Sequence, residues 1–193
     1  MSDFSLYFKL GWEHIISTDA LDHILFVAAL SAIYMLSDWK QVLILITAFT
    51  IGHAVTLILS VFDIIRFDPA WVEFLIPCTI VITALFNLFQ KDFSSRSVRI
   101  NYFLALFFGL IHGMGYANAI RFTLAKEQSI GWSLFSFNLG LEIGQIFVVL
   151  LILLLTLIMT NIAGVKRREW VIFISAAVFS LSLKMALERI PFS

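Results

Sequence analysis

Four histidines, His14, His23, His53 and His112, stand in or beside strongly apolar stretches of a 193-residue chain. Acids and amides accompany them: Asp19 and Asp22 just before His23, and Asn138, Glu142 and Gln145 within another apolar run. Imidazole nitrogen together with carboxylate oxygen suits zinc, nickel or cobalt rather than copper(I), which prefers sulfur. Neutral imidazole is the commonest protein metal ligand, and a neighbouring carboxylate fixes which ring nitrogen is free to bind. The chemistry suggested is capture of a divalent transition-metal ion, held as a cofactor or passed through as cargo.

The elements that must carry these groups follow from composition. Hydrophobic residues make up 61% of the chain and charged residues 13%, with 20 phenylalanines and a mean hydropathy of +0.97. A soluble domain of this size is about a quarter charged, and so short a chain has too little interior to hide this much apolar surface from water. Lipid is therefore the expected solvent. Formal net charge is zero, with 13 basic and 13 acidic residues, so nothing points to a nucleic-acid partner. The lone cysteine, Cys78, excludes an intramolecular disulfide, and the first residues show no basic-then-apolar signal peptide.

A spanning helix needs roughly 20 mostly apolar residues. Six stretches qualify, at about 20–37, 41–63, 70–89, 101–121, 132–161 and 169–187. The expectation is an all-α, polytopic membrane protein, one transmembrane domain over 1–193, with about six transmembrane helices. Residues 3–17 are too short and mixed to cross, and are expected to form an N-terminal interfacial helix. Loops on one side hold seven Lys or Arg residues and those on the other hold five, outside Lys184 in the last helix. The excess marks the cytoplasmic side, so both termini are expected outside the cytoplasm of a bacterial inner membrane.

Each intramembrane ionisable group costs roughly 2.5–3.5 kcal/mol on insertion scales, so each asks for a reason. Counted along the expected spans at 1.5 Å per residue, His14, Asp22, His23, His53, His112 and Glu142 all fall within one half of the bilayer. Asn138, Glu142 and Gln145 share a helix face, as do Thr50, His53 and Thr56. Gly140 and Gly144 flank Glu142, while Gly109, Gly113 and Gly115 surround His112, and small residues at such spacing let helices approach closely. Plainer readings exist: Asp19 at a helix start serves as a cap, Asn138 and Gln145 glue helices, and Glu73 after Trp71 reads as an ordinary interfacial acid.

The strings GWEHI (11–15), LDHILF (21–26), FTIGHAVTL (49–57), FGLIHGMGYA (108–117) and FNLGLEIGQ (137–145) together resemble the HupE/UreJ membrane proteins. The resemblance implies a six-helix nickel or cobalt permease associated with hydrogenase and urease accessory systems. It implies His14, Asp22, His23, His53, His112, Glu142 and Gln145 as site residues. Residues 19–23 also resemble the aspartate–histidine signature of other nickel/cobalt permeases. The gap between His14 and Asp22 is long for the hydrogenase-linked members, and Ala54 stands where many members carry serine. Two other functions fit the residues: an intramembrane zinc hydrolase with Glu142 or Asp22 as general base, and a non-catalytic accessory subunit whose polar cluster joins helices.

Overall fold

The computed structural model describes residues 3–17, 20–90, 95–124 and 129–191; in its fifth helix, side chains are described at 101–117 and 120. Among the described residues every regular element is helical: α1 (Asp3–Ile16), α2 (Leu21–Ser31), α3 (Trp39–Val61), α4 (Pro69–Phe89), α5 (Ser95–Leu124), α6 (Ile130–Leu157) and α7 (Arg167–Glu188). A 3₁₀ turn at Leu36–Asp38 leads into α3, and a π turn at Ile158–Ile162 extends α6. Four stretches are long and apolar enough to cross a bilayer: Leu36–Val61, Pro69–Phe89, Ile130–Ile162 and Arg167–Glu188. The bent pair α1–α2 makes a fifth candidate. The chain is an integral membrane protein.

Local chemistry sets the helix ends. The Asp68 carboxylate accepts a hydrogen bond from the Ala70 amide at 2.9 Å, and Pro69 fills the first position of α4, where its missing N–H costs nothing. Within α4, Pro77 has no N–H to give the Glu73 carbonyl, a loss that packed membrane helices tolerate. Helix α3 stops where Asp63 turns into the left-handed region at φ 62°, a conformation Asp tolerates better than most residues. At the opposite end of the bundle, Arg168 donates to the Asn87 and Leu88 carbonyls at 3.2 and 2.7 Å. Asn87 in turn donates to the Ala29 carbonyl at 2.7 Å. The Arg168 cation thus complements the carbonyl end of α4 and ties α2, α4 and α7 together.

Two glycine-lined seams bring backbones into contact. Along α3 and α5 a Cβ added at Gly52 would strike the Leu106 carbonyl, one at Gly109 that of Phe49, and one at Gly113 that of His53. Residues 49 and 53 meet 109 and 113 in rising order, so these helices run parallel. Along α1 and α6, Gly11 faces the Phe137 carbonyl, Gly140 that of Phe8, and Gly144 the Ile15 side chain. These helices run parallel too, entering from the same end.

The second seam corrects two expectations. Residues 3–17, expected to lie flat in the headgroups, instead pack along the first half of α6 with Tyr7, Gly11 and Ile15 buried. The first span, expected at 20–37, is an eleven-residue helix, about 16 Å long and too short to cross roughly 30 Å of hydrocarbon. Helices α1 and α2 meet at a 68° bend. Hydropathy misses the arrangement because neither α1 nor α2 is long enough to register as a span by itself.

Candidate metal centre

The bend places two imidazoles side by side. His14 lies in the last turn of α1 and His23 in the first turn of α2, with ring centroids 4.5 Å apart. Helix α3 contributes His53, 6.1 Å from the His14 ring and 6.4 Å from that of His23. Helix α5 contributes His112, 5.2 Å from the His23 ring. The α3–α5 glycine seam sets this last placement: His53 and His112 lie beside the backbone contacts of Gly109 and Gly113. One nitrogen from each of His14, His23 and His53 lies within 4.8 Å of the others. A tetrahedral ion bound at roughly 2.0–2.1 Å needs nitrogens about 3.4 Å apart, so modest rotation of the rings would complete a three-nitrogen set.

Hydrogen bonding turns the free nitrogens toward one another. His23 Nδ1 donates to Asp22 Oδ1 at 3.0 Å, and the same oxygen accepts the His23 amide at 2.9 Å. His112 Nδ1 donates to the Phe108 carbonyl at 2.8 Å. In both rings Nδ1 is occupied and Nε2 is left as the nitrogen available to a metal. The buried Nε2 atoms of His14, His23 and His112, and both ring nitrogens of His53, have no hydrogen-bond partner. Buried polar atoms are seldom left unsatisfied, and five in one cluster fit a divalent ion.

A cavity of about 540 Å³ leads to the cluster from the end of the bundle where α4 and α6 begin and α7 ends. His14, His23 and His112 line it, together with Glu13, Asp22 and Glu73. These carboxylates favour cations. Arg189, the one Lys or Arg among the described residues that line it, approaches Asp22 Oδ2 at 3.7 Å. On the opposite side of the cluster the fully buried rings of Phe26 and Phe49 lie 4.8 Å apart, with Phe108 5.8 Å from Phe26. They form an apolar floor beneath His112, whose ring is 5.3 Å from Phe26 and 5.1 Å from Phe49.

The expected site residues divide accordingly. All four histidines converge, and Asp22 orients His23 from the side. Asn138 stands beside His53. Glu142 is outside the three-histidine set and the cavity wall, half-buried and accepting a 2.7 Å hydrogen bond from Thr47. Gln145 is buried and accepts from Thr50 at 3.2 Å. The shared face of Glu142 and Gln145 is real, but it is the seam with α3. Asp19 lies outside the described residues. The sequence reading passes over Glu13, Tyr116 and Arg189 and discounts Glu73, all of which line the cavity. Glu13 had a signal, since it directly precedes His14; the others are brought in by packing.

Replacing Asp22 with alanine removes the group that fixes the His23 tautomer. The expected result is a 10–100-fold loss of metal affinity with the other three imidazoles in place, measured by titrating the purified protein with cobalt(II).

The chain is thus a helical integral membrane protein with a histidine cluster beside an acid-lined cavity. The sequence matches the family model described as HupE / UreJ protein over residues 1–189, and the chain belongs to that family. No curated protein and no solved structure matches it. Family membership suggests a membrane protein related to nickel and cobalt transport, and the chain carries a histidine cluster that could hold a metal ion.

Proposed function

We propose that this protein is a permease for a divalent transition metal, nickel or cobalt, which it takes from the extracytoplasmic side. The observation that carries the reading is the set of buried, unpartnered imidazole nitrogens beside a cavity whose wall includes Glu13, Asp22 and Glu73. Glu13 and Glu73 draw the hydrated cation inward. His14, His23 and His53 replace its water, with His112 beside them as the next ligand. Release demands a site strong enough to fill and weak enough to empty, so the phenylalanine floor must part during each cycle. Six crossings follow if the α1–α2 pair counts as a broken first span and α5 as the fourth. Both termini then share the cavity's side, and the membrane is the bacterial inner membrane.

The test is uptake of radiolabelled nickel or cobalt into proteoliposomes. The wild type is expected to load the lumen, and His112→Ala to reduce uptake to the background of empty vesicles. Persistent uptake in that variant would remove His112 from the path.

A second reading, an intramembrane zinc hydrolase, draws support from the closed Phe26–Phe49–Phe108 floor, because a catalytic site needs no exit. Three imidazoles would hold the ion, and the cavity would supply water to an open fourth position. Asp22, Glu13 or Glu73 would serve as base. Stoichiometric zinc that does not exchange, in protein that moves no ion, would establish this reading and overturn the permease.

A further inference from the structure

His23 and His112 are held by polar partners, whereas His14 sits at the open end of a helix, and rings surround it. The closest is Tyr116 of α5, whose centroid lies 4.0 Å from that of His14. Tyr116 is braced from behind: its ring lies within 10° of parallel to Phe137 at 5.0 Å. Phe137 is fully buried, lies 5.8 Å from His14 and 6.3 Å from His53, and has its backbone pressed against Gly11 of α1. The stack therefore reaches from the α1–α6 seam to the His14 ring, with Tyr116 on the cavity side.

We propose that Tyr116 is the positioning residue for His14, fixing by ring packing the orientation that a hydrogen bond fixes in His23 and His112. Without it the His14 ring turns freely into the cavity, and its nitrogen leaves the set shared with His23 and His53. A ligand has to be locked by its surroundings to contribute fully, and offset aromatic contacts supply both area and geometry. The assignment rests on the metal-site reading above.

The test is cobalt(II) titration of the purified full chain in detergent, following both affinity and the visible ligand-field absorption. Tyr116→Phe keeps the ring and is expected to bind within about twofold of the wild type. Tyr116→Ala is expected to lose 10–100-fold in affinity and to show the absorption of His14→Ala. Adding Tyr116→Ala to His14→Ala should cost nothing more, because coupled residues are not additive. Tyr116→Leu preserves bulk without the ring and should match the alanine variant, which separates lost positioning from lost folding. Wild-type affinity in both Tyr116→Ala and Tyr116→Leu, or losses that add to that of His14→Ala, would overturn the assignment alone. No cobalt binding by the wild type would overturn the metal site itself and this assignment with it.

Discussion

His53→Ala is expected to lower metal affinity by more than a hundredfold while leaving the metal-free protein about as stable as the wild type. Loss of an orienting group around a metal already costs 10–100-fold, and loss of a ligand costs more. Stability behaves differently because His53 is fully buried and neither of its ring nitrogens makes a well-formed hydrogen bond, Asn138 being the polar side chain beside it. An unsatisfied buried polar group costs about 1–3 kcal/mol. Alanine removes that cost but leaves a cavity of opposing sign, so the two largely offset. Thermal unfolding in detergent and cobalt titration on the same samples check both halves. A histidine that merely joined helices would give the reverse pattern, with lost stability and unchanged titration. A protein that keeps unsatisfied nitrogens in its interior is sacrificing stability for function.

Gly109→Val is expected to damage fold and site together. A Cβ at residue 109 meets the Phe49 carbonyl, its carbon and its Cα, so backbone opposes backbone and no side chain can swing aside. Overpacking typically costs 1–3 kcal/mol and occasionally more; this case belongs at the upper end because whole helices must separate. Phe49 lies one turn before His53, and Gly109 three residues before His112, so the same displacement draws the imidazoles of α3 and α5 apart. Cobalt binding should fall together with the unfolding temperature. Gly131 is the control: a Cβ there meets nothing within 4 Å, so Gly131→Ala in α6 should be neutral or gain up to about 1 kcal/mol from helix propensity.

The parts of this architecture that the sequence reveals are those that depend on local composition. Helices α3, α4, α6 and α7 are continuous apolar runs, and hydropathy locates them. Convergence of four histidines is legible because intramembrane imidazole is costly enough to need a common purpose. The glycines near His112 and Glu142 foretell close helix contacts, although their partner sites at Gly11 and Gly52 become evident only with the helices in place. Rotation about a helix axis is not local information. Glu142 and Gln145 do share a face, yet nothing in their spacing says that it meets Thr47 and Thr50 of α3 while the histidines gather elsewhere. Tyr116 escapes notice for a related reason: it falls inside the FGLIHGMGYA string, yet nothing in that string says that its ring meets His14. The bent α1–α2 pair is hidden because each half fails a length criterion that the two satisfy together.

The parallel seam between α1 and α6 bears on how the protein is made. His14 leaves the ribosome early, but the α6 backbone that seats its helix is synthesised more than a hundred residues later. Contacts so distant along the chain form late, so the seat of α1 against α6 is completed only after most of the helices have been made.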